Sequence, residues 1–216
     1  MVGQTQKSTH AMLQEKFFEL AKMLNSIPVS SSTGAHVCPG AHFTDMPAYT
    51  NWAHKGLDYC IQNGILNGTS ATTTRAQLVT MLYRQAGSPK AAKSSPFTDV
   101  TDSWSVDAVN WAFEKGVVNG TSPTTFSPND AITRQDMATI LYNYTKNVLD
   151  LDVYDTADLT GYPDYSSISD YARTPLSWAV AQGLILGVGN SNGVDTLQPK
   201  GDAPRAQTAT IIMRFC

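Results

Sequence analysis

Three arginines recur at one place in a repeating pattern, each in the opening residues of a segment that reads as a helix. They stand in Thr74-Arg75-Ala76-Gln77, Thr133-Arg134-Gln135-Asp136 and Pro204-Arg205-Ala206-Gln207. A guanidinium presents a planar fork of donors that fits a carboxylate or phosphate bidentately. Beside the unpaired N–H groups of a helix start, it would enlarge a ready-made anion site. The competing reading is structural, with each Arg bonded to the opening aspartate of a neighbouring copy. Those aspartates are Asp45, Asp99 and Asp164, in Phe43-Thr44-Asp45, Phe97-Thr98-Asp99 and the altered Tyr162-Pro163-Asp164. Aspartate at such a point commonly turns back onto nearby backbone. Its alternative partners are a ligand hydroxyl or the recurring Arg.

Between aspartate and arginine, each copy carries an aromatic, four residues, and Gly-φ-φ-x-Gly, where φ is aliphatic. The closing glycines are Gly68, Gly120 and Gly187. They fit helix termination, and they would also let a glycan lie close to the backbone. Counting back from the first glycine of each pair, Trp52, Trp104 and Tyr171 stand twelve positions upstream, and Tyr59, Trp111 and Trp178 five. A gap of seven places the two aromatics on one helix face. Trp111 and Trp178 are expected in the core, whereas Trp52 and Trp104, nearer the helix starts, are expected to be partly exposed.

The elements that position these residues follow from caps and periodicity. Thr74 with Gln77 makes a capping box, and Asp136 lies in a first turn, where the helix dipole favours a carboxylate. Asp102 or Ser103 is expected to cap a helix bearing Trp104 through Phe113, and Pro204 shifts capping of the last helix to Asp202 or Ala203. An amphipathic helix is also expected over 9–27, ended by Pro28. A period near 50 residues denotes stacked units that cannot bury their apolar faces singly. The organisation is thus all-α: an extension at 1–42 and repeats at 43–89, 97–147 and 162–216. Six residues separate Gly68 from Arg75, against thirteen and seventeen in the later copies, so the first loop is clipped. Repeat two is therefore expected to contribute most to any site, and Arg134→Ala to weaken binding more than Arg75→Ala.

Composition narrows the function. A net charge of −3 leaves no electrostatic footprint for nucleic acid. No apolar run is long enough to cross a bilayer, and the polar start is not a signal-peptide core, so a mature fragment or another export route is expected. Three cysteines make no disulfide framework, though a Cys38–Cys60 bridge stays open. His36-x-Cys38-x3-His42 loosely resembles metal-ligand spacing, but no fourth ligand is evident nearby. No catalytic or phosphate-loop motif occurs, so no catalytic residue, metal or cofactor is expected.

Taken together, F-T-D…W…G-φ-φ-x-G…T-R-x-(Q/D) resembles the S-layer homology repeat of bacterial cell-surface proteins, over about Phe43 to Cys216, four-fifths of the chain. The family's arginine motif usually reads T-R-A-E; here the Arg persists and the acid varies. The resemblance implies a pseudo-threefold helical spindle, with first helices in a central bundle and second helices with their loops as prongs. Grooves between the prongs would hold a secondary cell-wall polysaccharide, often one with a pyruvate ketal. By that likeness Arg75, Arg134 and Arg205 clamp the anionic group, Asp45, Asp99 and Asp164 accept from sugar hydroxyls, and Trp52 and Trp104 shape the walls. The implied protein is a non-catalytic anchor on the surface of a Gram-positive-type wall, with no nucleic-acid partner and no membrane insertion. The resemblance does not explain the N-terminal helix around Phe17 and Leu20, which is expected to pack on the spindle or mediate self-association. Alternatives are a phage or prophage adsorption protein, a scaffold for a protein partner, and a wall hydrolase.

Overall fold

The computed structural model describes residues 38, 46–48, 50–51, 53–62, 72–189 and 195–215. The helix expected over 9–27, and the candidates Asp45, Trp52 and Gly68, lie outside them. Within them are six α-helices: α1 His54–Gln62, α2 Arg75–Gln85, α3 Val106–Glu114, α4 Arg134–Asn147, α5 Arg173–Ala181 and α6 Arg205–Phe215. Two single 3-10 turns, Tyr165–Ser167 and Asp170–Ala172, precede α5. The described sheet structure is one antiparallel ribbon of β1 Val188–Gly189 and β2 Asp195–Thr196.

Local chemistry starts and stops these helices. Thr74 accepts from the Gln77 N–H while the Gln77 side chain accepts from the Thr74 N–H, completing the capping box of α2. Thr133 accepts from the Asp136 N–H at the start of α4. At α6 the expected shift of the cap does not occur. Pro204 itself takes the place of Thr74 and Thr133, its carbonyl accepting the Thr208 N–H at 2.9 Å. It fits because a residue at that boundary needs no intrahelical N–H of its own, though it brings no capping oxygen. The expected start of α3 also moves, to Val106, because Asp102 and Ser105 close a turn first. That turn carries Trp104, which is 46% exposed. Pro175 is tolerated in α5 as its third residue, where an N–H would have no partner in the helix.

Helix faces at spacings of three and four build the core. Leu78, Met81 and Leu82 from α2, Met137 and Leu141 from α4, and Ile211 and Phe215 from α6 are all buried. Trp111 and Trp178 are fully buried, as their helical spacing predicts. Trp111 meets Tyr83 and Tyr144 at 5.6 and 6.2 Å between ring centres, and Trp178 meets Tyr142 at 5.6 Å. Burying each such ring contributes on the order of 2–3 kcal/mol.

Packing joins each second helix to the first helix of another copy: α2 to α3, α4 to α5, and α6 back to α1. Gly56 of α1 permits that last contact, because a Cβ there would lie within 3.0 Å of the Thr210 backbone. The segments entering α2, α4 and α6 meet in a closed circuit of backbone bonds. Thr73 donates to the Ala203 carbonyl at 3.2 Å, Ala203 to Ile132 at 2.9 Å, and Ile132 to Thr73 at 2.8 Å. All three residues are fully buried. The thiols of Cys38 and Cys60 take separate partners, Asp58 and the Ala209 carbonyl, rather than bridging.

Candidate functional site

Each described loop after a Gly-φ-φ-x-Gly phrase is held from two sides. In the second copy, Asp99 accepts from the Phe126 N–H at 2.9 Å and the Ser127 N–H at 2.7 Å. In the third, Asp164 accepts from the Leu197 N–H at 3.0 Å and the Gln198 N–H at 2.7 Å. Ser127 and Gln198 both sit in the left-handed region, at φ 59° and 48°. This conformation costs a non-glycine residue on the order of 1 kcal/mol, which the two amide–carboxylate bonds offset. Burial alone would raise the Asp99 pKa, but the Phe126 and Ser127 N–H groups outweigh it and hold the carboxyl below its usual value.

The second hold comes from the preceding copy's arginine. Arg75 Nε donates to the Phe126 carbonyl at 3.0 Å and Nη2 to the Asn119 carbonyl at 3.3 Å, with its carbon 5.0 Å from the Phe126 ring centre. Arg134 repeats this one copy on, with Nε to Leu197 at 2.7 Å and Nη2 to Leu186 at 2.6 Å. Asn119 and Leu186 are the x residues of their Gly-φ-φ-x-Gly phrases, so one guanidinium ties both ends of the next loop.

The open helix mouth expected beside these arginines is filled by backbone. The Arg75 and Ala76 N–H groups donate to the Asp130 and Pro128 carbonyls, and those of Arg134 and Gln135 to Gly201 and Pro199. Both arginines are buried, at 8% and 4% exposure. Nη1 is the nitrogen the loop carbonyls leave to other partners, Asp136 for Arg75 and Gln207 for Arg134, and each arginine lines a groove.

The first groove has a volume near 750 Å³ and is lined by Arg75, Val118, Asn119, Asp136, Asn143 and Tyr171, among others. Arg75 Nη1 is 3.5 Å from Asp136 Oδ2. Tyr171 donates to Asp136 Oδ1 at 2.6 Å and accepts from Gln135 at 3.1 Å. Burial first, then that bond to Asp136, pushes the Tyr171 pKa up to about 12. The first groove therefore sets an arginine against an acid across its floor.

The second groove, near 330 Å³, is lined by Arg134, Leu186, Gly187, Gln207, Ile211 and Arg214, among others. Here Arg134 Nη1 meets a neutral amide, Gln207 Oε1, at 3.0 Å. No described lining residue is acidic. Burial pulls the Arg134 pKa down while the field of Asp164 partly restores it. This groove holds two guanidiniums. Both volumes fall within the roughly 300–1,000 Å³ of small-ligand sites.

The remaining candidates are placed as follows. Arg205 is part-exposed, and its Nε is buried without a hydrogen-bond partner among the described residues. The loop it would tie by the same rule, 63–71, lies outside them. Gly120 is glycine for space: a Cβ would run into the Ser122 and Thr125 carbonyls and the Phe97 ring. At Gly187 the obstacle is the Asp195 side chain. Trp104, Asp99 and Asp164 are not among the described residues lining either groove.

Comparison with known proteins decides the family. A sequence profile for the S-layer homology domain matches residues 96–138, from the Phe97-Thr98-Asp99 opening into α4. The chain carries an S-layer homology domain. Among relatives, an endoglucanase of Bacillus sp. (strain KSM-635) is 34% identical over 76% of this chain and 17% of its own. The Surface-layer 125 kDa protein of Lysinibacillus sphaericus is 27% identical over 82% of this chain and 15% of its own. The S-layer protein sap of Bacillus anthracis is 30% identical over 58% and 14%. The matched stretch thus spans about a sixth of the length of these relatives.

Sequence reasoning missed Tyr171 and Arg214 as groove residues. The register of the S-layer homology repeat gave Tyr171 the place of Trp104, and that equivalence was the available signal. Arg214 sits in the last turn of α6 with no motif around it, donating to the Leu184 carbonyl at 3.4 Å. The repeat-one arginine had been discounted for its clipped loop. In fact Arg75 serves the loop of the second copy, and its groove is the larger.

Proposed function

We propose that this chain is a non-catalytic anchoring module that tethers its carrier to the surface of a Gram-positive-type wall by holding an anionic secondary cell-wall polysaccharide. The carrying observation is the second groove, where Arg134 and Arg214 line one cleft and no described acid is among its lining residues. A buried guanidinium with only partial compensation gains most from an incoming carboxylate, such as that of a pyruvate ketal. The first groove, with Arg75 balanced by Asp136, suits the hydroxyls of an adjoining neutral sugar. Asp99 and Asp164 then act by shaping the loops. The closed circuit of helix pairs supports reading 43–89, 97–147 and 162–216 as three repeats in a pseudo-threefold spindle. The surface-layer relatives support the location on the wall.

The test is sedimentation with purified walls before and after extraction of the non-peptidoglycan polymer, and after removal of its acidic substituents. Binding should vanish on extraction and fall sharply when the acidic groups are removed. Arg214→Ala should weaken it without lowering Tm, since Arg214 contributes one long bond to the fold. Equal binding to intact and extracted walls would sink the reading.

A further inference from the structure

A different set of donors meets where the chain enters α1. Cys38 Sγ lies 3.0 Å from Asp58 Oδ1, and His54 Nε2 lies 3.1 Å from Asp58 Oδ2. One sulfur, one nitrogen and one oxygen all fall within 4.8 Å of one another. His54 and Asp58 are one turn apart on α1, with side chains only 6% and 11% exposed. Cys38 reaches them from the segment before the helix.

The imidazole is already oriented as a ligand. His54 Nδ1 stands 2.8 Å from the Pro47 carbonyl, which can only accept, so Nδ1 carries a proton. A backbone carbonyl fixing one ring nitrogen while the other points at a metal is a common second layer of such sites. Nε2 then directs its lone pair at a carboxylate oxygen, an approach that is repulsive unless a proton or a cation stands between them. Tetrahedral zinc, with bonds of about 2.0–2.3 Å, spaces its ligand atoms about 3.3–3.7 Å apart. The sulfur stands 3.0 Å from Asp58 Oδ1 and the imidazole nitrogen 3.1 Å from Oδ2, so each of these two separations need open by only a few tenths of an ångström. A nucleophilic thiol fits less well. Its base should face the sulfur with the acid behind, and here the acid lies between thiol and imidazole.

We infer that Cys38, His54 and Asp58 form a metal site of zinc type. Thiolate with imidazole selects zinc over magnesium or calcium. The ion clips the segment at Cys38 onto α1, the helix that closes against α6. His36 and His42 flank Cys38 in sequence but lie outside the described residues, and the site rests on the three ligands alone.

The test uses the untagged full chain, stripped with a chelator, then titrated with Zn²⁺ against a chromophoric competitor and separately with Co²⁺. One zinc per chain should bind and raise Tm. The cobalt form should show a sulfur-to-cobalt charge-transfer band and the strong visible bands of four-coordination. Cys38→Ser should erase that band and weaken zinc binding by more than the roughly 10–100-fold typical of outer-layer changes. Absence of the band in the wild-type protein would overturn the site without recourse to any variant. Zinc affinity unchanged in Cys38→Ser would do so too, leaving only a hydrogen-bonded chain from thiol to carboxylate to imidazole.

Discussion

The two grooves are built by one rule around their arginines and differ in the residue that meets the arginine's Nη1. In each, an arginine from one copy ties both ends of the next copy's loop through Nε and Nη2 and leaves Nη1 to a partner on the groove lining. In each, the third residue of the following helix meets that nitrogen. It is Asp136 in the first groove and Gln207 in the second. The acid cancels the charge that the amide leaves standing. Copies of one motif can thus keep the same loop architecture while diverging in the charge they offer a ligand. The arginine has two separable jobs: its Nε and Nη2 build the wall, and Nη1 addresses what enters.

The largest expected effect tests whether those jobs separate. Arg134→Ala leaves the Leu197 and Leu186 carbonyls without their charged donor and should cost about 3 kcal/mol, read as a fall in denaturant midpoint along with lost wall binding. Arg134→Lys should recover some stability but not the two-point tie. Next come the loop glycines. Gly120→Ala forces a Cβ against backbone carbonyls and an aromatic ring and should cost on the order of 2–3 kcal/mol in chemical unfolding. Gly187→Ala meets the Asp195 side chain and should cost less. Equal costs would mean that the two loops are not held alike.

Exchange of the odd residue is the sharper probe. Gln207→Glu should give the second groove the character of the first and weaken binding to walls by about fivefold, a change of about 1 kcal/mol. Asp136→Asn should strengthen it slightly, with little change in Tm for either. No change from Gln207→Glu would show that the second groove does not meet the anionic group. The smallest effects are in pH. Asp99 is held below its ordinary value of 3.8 in the folded state. Its contribution is therefore complete above that value and drains away as pH falls through the folded pKa. Asp99→Asn should flatten the acid limb of the stability profile. Tyr171 has the opposite sign: folding favours its protonated form, so its contribution persists below pH 10 and fades toward about 12. Phenolate absorbance should show a late-titrating component that Tyr171→Phe removes.

Much of this was legible in the sequence, and what was not has a physical cause. Thr74 with Gln77 declared a helix start because capping is local, and Trp111 and Trp178 declared a core because helical spacing is local too. Tyr171 could be aligned with Trp104, yet its hydroxyl partner Asp136 lies in another copy. The arginines show the limit best. Periodicity reveals that Arg75 and Arg134 are equivalent, but not that each reaches forward into the next copy. The same blindness hid the filled helix mouths, since the carbonyls of Pro128 and Pro199 arrive from loops whose fold no local pattern announces. Cys38 was weighed with the histidines beside it in sequence, whereas the groups the fold brings near it, Asp58 and His54, come from α1.

The circuit through Thr73, Ile132 and Ala203 has a bearing on how the chain is made and how it can evolve. An open stack of repeats can gain or lose a unit at its end, because each unit leans only on its neighbour. Here the earliest entry segment is completed by the latest, and the hydroxyls of Thr73 and Thr208 bond across 135 residues. A ribosome releases the beginning of that loop long before its end, so the first copy must wait, half-satisfied, for the last to be translated. Such late closure slows folding, and it means that removing any one of the three entry segments breaks the circuit.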